Sequence, residues 1–359
     1  MGKGLWVGVI VGVSSFVLAS RADAAICYVG QGAGASDAMD VPDRGSLTHP
    51  FATGTAAIAW KNVVTQHRIC DDVRFLPGVY HQNVKVVDRD GVWSGPLRIS
   101  ATPGTVTIDG VLTTDLDFPR QAAILVLDSS YVTIDGLTIT NDASEFCSPT
   151  QNPFDTDTVT STSYCHVAGV YVGNRTVFNG PANGQLNGPA PHHVTIENNE
   201  ITNVSSATLL TSNVSGSYKK CPTLDPSPSV KCLNQFDALP VVVVSFRNGV
   251  DQNGAADPSE STSNVIIRGN LIRDSHVSSD VNNVGAINIL TNVVDLLIEG
   301  NQVDNLAPRD PALSPNASIE MTGVQVSGDN FNTKYNRLIN DAARPRRVVI
   351  RSNQFTSTT

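Results

Sequence analysis

Charged side chains are scarce in this chain. Asp, Glu, Lys and Arg make up 16% of its 359 residues and leave a net charge of −9. So sparse and acidic a set argues against general nucleic-acid binding, which needs clustered cations against phosphate. No Cys-x-x-Cys pair occurs, which removes the usual zinc and thiol-redox spacings. No Pro/Ser linker or block of like charge divides the chain, so one elongated domain is expected. There is also no apolar run of the about 20 residues that a membrane-spanning helix requires. The run Leu5–Leu18 is shorter, follows Lys3 and precedes the small-residue site Ala22-Asp23-Ala24. That pattern reads as a secretory signal over residues 1–24, leaving a domain over 25–359 in a secreted, periplasmic or cell-surface setting, with no membrane span after signal cleavage.

What the chain does have is repetition. Tyr131–Asn141, His193–Asn203, Asn264–Asp274, Asp295–Asn305 and Arg347–Ser357 each carry an apolar, polar, apolar triplet, then a turn of Gly, Asn or Ser, then one more apolar residue. Alternation of period two describes a short strand with one buried face. The turns Asn198-Asn199, Gly269-Asn270, Gly300-Asn301 and Ser352-Asn353 use residues that accept left-handed angles or bond their own main chain. Aligned on Ile134, Ile196, Ile267, Ile298 and Ile350, the segments place Asn199, Asn270, Asn301 and Asn353 at one position. Stacked as the rungs of a solenoid, these four would form an internal amide ladder that satisfies buried corner groups.

A second apolar strand precedes each motif, at Ala123–Leu127, Gly169–Val172, Val241–Phe246, Gly285–Leu290 and Gly323–Val326. One coil therefore reads strand, turn, strand, Asn corner, short strand, long loop. In this the chain resembles the right-handed parallel β-helix, the pectate-lyase-like superfamily. The front end adds Tyr28-Val29-Gly30, His49-Pro50-Phe51-Ala52-Thr53, Asp72–Tyr80 and Thr107-Ile108-Asp109-Gly110, which look like the first coils of bacterial β-helix polysaccharide lyases. An all-β solenoid is thus expected, with residues 53–66 as a capping helix bearing Ile58, Val63 and Val64 on one stripe. Seven coils are expected over 73–357, making a rod of roughly 34 Å. The long loops fall at 142–168, 173–191, 204–240, 247–262 and 304–322. No cap is legible after Thr358-Thr359, which suggests that further coils follow.

The resemblance implies polysaccharide or glycan as the partner and either uronate elimination or glycoside hydrolysis as the chemistry, since such solenoids serve both. The Asp-Asp and Gly-His-Gly signatures of polygalacturonase-like enzymes are absent, as are the Trp-Ile-Asp-His and Arg-x-Pro-x-x-Arg patterns of pectate lyases. Catalytic candidates come instead from position. Arg175 and Arg247 follow second strands, where a carboxylate or sulfate would be held; His276 and Asp280 would form an acid/base pair in the loop after Asp274. Tyr171, Asn288 and Gln325 would face outward as a polar substrate row if Val170, Ile287 and Val324 face inward. Asp251, Asn253, Asp257 and Glu260 supply oxygen at a density suited to calcium, though not at EF-hand spacing. His192-His193 reads as a feature of a rung edge. The alternative is a noncatalytic, adhesin-like surface protein that binds glycan. Six cysteines in an exported chain allow 15 pairings; proximity favours Cys147 with Cys165 and Cys221 with Cys232, and Cys27 with Cys70 would then tie the first strand to the end of the capping helix.

Overall fold

A computed structural model describes residues 25–38, 43–61, 69–89, 96–111, 121–143, 163–174, 176–178, 184–186, 189–206, 219–220, 232–245, 261–277, 281–290, 292–306, 318–326 and 345–356. These residues form three sheets wound as a parallel β-helix. The first sheet runs Ile26–Val29, Asp72–Phe75, Leu97–Ala101, Val132–Asp135, His192–Glu197, Thr262–Arg268, Val293–Glu299 and Arg346–Arg351. In the second the order along the rod is Val84–Val87, Gln121–Leu127, Ser163–Gly173, Cys232–Val243, Val281–Ile289 and Ser318–Val326. The third takes Gly78–His81, Val106–Asp109, Thr138–Ala143, Glu200–Ser206, Leu271–Arg273, Gln302–Asp304 and Gln354–Thr356. Each coil after Ile26–Val29 visits the first, third and second sheets in that order.

Register follows the repeat. Ile134, Ile196, Ile267, Ile298 and Ile350 pair in sequence across parallel strands, so like side chains stack along the rod. The first four are fully buried, as are Val132, Val194 and Val265. Burial of each such side chain stabilises the rod by roughly 1.5–3 kcal/mol. Inward residues of the second sheet, among them Val170, Val172, Val241, Ile287 and Ile289, complete the same interior.

The Asn corner closes as the sequence requires. Asn270 Nδ2 and backbone N both donate to Asn301 Oδ1, at 2.9 and 3.0 Å, while Asn270 Oδ1 accepts from Asn199 N and Nδ2 at 3.0 and 3.1 Å. Asn301 repeats the pattern on Asn353, at 2.9 Å for each bond. Every ladder Nδ2 also donates to a strand carbonyl, Ile134, Ile196, Ile267 or Ile298. Leu137 holds the equivalent place in the coil before Asn199, and its backbone N donates to Asn199 Oδ1 at 3.1 Å. The ladder therefore begins at a main-chain donor.

At the other end a helix packs over the first coils, but it is shorter than expected. It spans Gly54–Ala59, with Val63 and Val64 outside the described residues. Thr53 caps it, accepting from Ala56 N at 3.2 Å, and Asp37 fixes Thr53 in turn through its backbone N and Oγ1. Trp60 turns extended, with ψ 124, and places its indole edge-on to Phe51 at 5.5 Å. That contact and the buried Ala57 and Ile58 hold the helix against the solenoid. Gly54 sits so close that a Cβ there would lie 2.5 Å from Phe75 Cζ. A disulfide joins Cys27 to Cys70, the pair expected to tie the first strand to the end of the helix. The pairings Cys147 with Cys165 and Cys221 with Cys232 lie outside the described residues. So does the signal segment, 1–24.

Candidate functional site

The three connections of a coil are very unequal. From the first sheet to the third the chain crosses in two residues at Gly136-Leu137, Asn198-Asn199, Gly269-Asn270, Gly300-Asn301 and Ser352-Asn353. Around the second sheet it inserts long stretches, before the strand at 144–162 and 207–231 and after it at 174–191, 244–261 and 327–345. Three short pieces of strand appear within them. Lys219–Lys220 pairs with Cys232–Leu233, and Thr176–Phe178 forms an antiparallel pair with Gly184–Leu186.

The second sheet is apolar on both faces, which is why its strands read as continuous runs such as Pro240–Val244. Its outer face carries Ala122, Leu125, Leu127, Ala168, Leu239, Val242, Val244 and Leu290 as a second buried cluster. Tyr171 belongs to that cluster too. Tyr171, Asn288 and Gln325 share one register row with Leu125 and Val242. Tyr171 is 0% and Asn288 1% exposed, whereas Gln325 is partly exposed. Asn288 Nδ2 donates to Gly285 O at 2.7 Å. The row is thus interleaved with apolar residues, and two of its three polar members are shut from solvent.

Of the remaining candidates, His276 lies in a strand paired with Ser205–Ser206. Its side chain, together with Arg175, Arg247, Asp280, Asp251, Asn253, Asp257 and Glu260, lies outside the described residues. Among the described residues no three His, Cys, Asp or Glu converge as a metal site.

The outer face of the first sheet shows a feature that periodicity did not signal. A groove of about 600 Å³ runs across its later rungs. Ile266, Leu297 and Val349 form the floor, and His193, Asn264, Asp295 and Arg347 line one edge. Tyr131 stacks on His193 with centroids 4.7 Å apart and planes 15° from parallel. His192 meets Tyr131 edge-on at 5.1 Å, and its Nδ1 lies 2.9 Å from His193 Nδ1. Burial, with the neighbouring His193 imidazole, holds the His192 pKa below its ordinary value.

Charges on this face are paired across rungs. Arg347 Nη2 donates to Asp295 Oδ2 at 2.6 Å, which holds the Asp295 carboxyl below the usual carboxylate range. Arg268 and Glu197 pair at 2.6 Å, and Arg351 and Glu299 at 2.7 Å. Arg98 binds Asp135. Burial raises the Asp135 pKa, but the hydrogen bonds from Arg98 and Asn198 outweigh it and keep that carboxyl low. In the sequence these residues hold two fixed places in the repeat: the motifs open on Tyr131, His193, Asn264, Asp295 and Arg347, and Asp135, Glu197, Arg268, Glu299 and Arg351 directly follow the aligned Ile.

Three parallel sheets, two-residue corners and an internal Asn ladder define this protein as a parallel β-helix. No known protein family matches the chain, and no curated protein does. Among solved structures it is similar to a lacto-N-biosidase from Eubacterium ramulus at 11% identity and TM-score 0.28, over 93% of this chain and 68% of that one. It is also similar to the surface protein and adhesin PfbA of Streptococcus pneumoniae at 13% identity and TM-score 0.35, over 83% and 72%. Likeness at these values carries nothing about activity or ligand.

Proposed function

We propose that this protein is an exported β-helix that engages polysaccharide beside its second sheet and cleaves it there. The observation that carries the reading is the concentration of inserted chain on both sides of that sheet, while the opposite corner is kept to two residues. Loops held by a rigid scaffold are where binding and catalytic groups collect. Arg175 and Arg247 lie in these insertions within four residues of strand ends and would hold a sugar carboxylate or sulfate. His276 and Asp280 would serve proton transfer, calcium would sit on Asp251, Asn253, Asp257 and Glu260, and Gln325 would meet the chain at the sheet surface. Tyr171 and Asn288 are shut from solvent and would shape that surface from beneath.

The test is mass spectrometry of products after incubating the protein with acidic and neutral polysaccharides, with calcium and with chelator. Unsaturated uronate ends would establish elimination, and ends carrying added water hydrolysis. Arg247→Ala is expected to lower turnover of an acidic substrate at least tenfold; unchanged turnover would remove it from the site. Binding without any product would favour the noncatalytic, adhesin-like reading, which the absent catalytic signatures support.

A further inference from the structure

Left-handed backbone recurs at the corners of the later coils, yet the residues chosen for it differ from corner to corner. Leaving the first sheet it falls on Gly136, Asn198, Gly269, Gly300 and Ser352, with φ 69, 55, 62, 63 and 56°. Leaving the third sheet it falls on Asn203, Asp274 and Asn305, at 51, 53 and 47°. These are mostly residues that tolerate the conformation. Where the chain comes into the first sheet, the same conformation is imposed on Tyr131, His193, Asn264, Asp295 and Arg347, at 60, 54, 53, 57 and 52°. For Tyr, His and Arg this is strained backbone, because Cβ crowds the following carbonyl oxygen. Gly or Asn would relieve it at once. Strain kept in one row, by side chains that are aromatic or charged, marks those side chains as wanted there for something other than stability.

Four of that row, His193, Asn264, Asp295 and Arg347, edge the groove on the first sheet, and Tyr131 extends the edge by stacking on His193. We propose that the groove is a second ligand site, distinct from the face beside the second sheet, and that it takes a neutral carbohydrate chain. The floor of Ile266, Leu297 and Val349 is flat and apolar, suited to the C–H faces of sugar rings. The Asn264 side chain is exposed and supplies an amide donor and acceptor for hydroxyl groups. The stacked Tyr131 and His193 rings give an aromatic platform at one end, with Tyr131 39% exposed. Charge selects against an acidic chain: Arg347, Arg351 and Arg268 are each already matched by a carboxylate on the neighbouring rung. From Tyr131 to Arg347 the row spans four strand spacings, about 19 Å, a run long enough for an extended oligosaccharide rather than a single ring.

Calorimetric titration of the full chain with maltohexaose, cellohexaose and xylohexaose, and with hexagalacturonate as the acidic counterpart, tests the proposal. One neutral hexasaccharide is expected to bind. Tyr131→Asn and His193→Asn should each weaken it tenfold or more while the melting temperature holds or rises, because Asn suits the left-handed angle. Leu297→Asp should abolish binding through the floor, and Arg247→Ala should leave it unchanged, which separates this site from the one beside the second sheet. Binding of none of the neutral probes would overturn the proposal. So would tighter binding of hexagalacturonate, or an affinity indifferent to Tyr131→Asn.

Discussion

The corner between the first and third sheets is built in two ways along one rod. In the last four coils it is Asn198-Asn199, Gly269-Asn270, Gly300-Asn301 and Ser352-Asn353, tied by amides that pass from coil to coil. In the first coils it is Leu76-Pro77 and then Thr102–Thr105, with no carboxamide at the turn. There the fastening is local: Tyr80 Oη donates to Leu76 O and Val29 O at 2.7 and 3.1 Å, Phe75 and Tyr80 meet edge-on at 5.0 Å, and Cys27 is bonded to Cys70. A ladder needs neighbours on both sides, so it suits the middle of a repeat. An end has a neighbour on one side only, and side-chain packing with a covalent tie serves it better.

The comparison is broken most severely at Asn270. Asn270→Ala removes the acceptor for Asn199 N and Nδ2 and the donor to Ile196 O, so three buried groups lose partners at about 1–3 kcal/mol each. A loss of about 4 kcal/mol is expected in urea unfolding, together with faster amide exchange at Asn199 and Leu271. Exchange confined to position 270 would show that the ladder is not cooperative. In the first coils, replacing Cys27 and Cys70 together by Ser opens a loop whose ends lie 43 residues apart. About 3 kcal/mol should be lost, with proteolytic cleavage appearing first before residue 70 while the Asn199–Asn353 region stays protected.

Tyr80→Phe gives the smallest effect and sharpens the contrast by pH. At neutral pH it should cost about 1 kcal/mol for the lost hydrogen bonds. Burial pushes the Tyr80 pKa up to about 12, above the value of about 10 in an unfolded chain. The folded state therefore holds its proton longer, and the stability this supplies is full below pH about 10 and falls as pH rises through 12. Thermal melts between pH 9 and 12 should show that decline in the parent protein and a shallower one in Tyr80→Phe.

The repeat was legible in the sequence because identical residues meet identical surroundings: an Asn three places after Ile196, Ile267, Ile298 and Ile350 can only be a corner amide once the coils are stacked. The disulfide between Cys27 and Cys70 was legible as the pair left over once the nearer cysteines are matched. The end of the helix at Trp60 was not, since Lys61–Gln66 carries no Gly or Pro and tertiary contact with Phe51 decides the matter. For Tyr171 and Asn288 the alternation of inward and outward residues was legible, but their burial was not, since period two says nothing of whether an outer face meets solvent. Least legible was the left-handed row at Tyr131, His193 and Arg347. Aromatic and basic residues carry no turn signature, so their backbone gives no local warning.

The ladder also gives the rod an electrical direction. Each carboxamide turns its oxygen toward the preceding coil, from Asn199 through Asn353, and Asn199, Asn270 and Asn301 each send one side-chain N–H to the oxygen of the following one. Amide dipoles aligned head to tail add, as peptide units do along an α-helix. The Leu137 N–H sits at the negative terminus of this series, where a helix would place a cation or a capping donor. Coils that look alike in side view are therefore not interchangeable end for end, and the interior of the solenoid is polarised along the axis on which its coils stack.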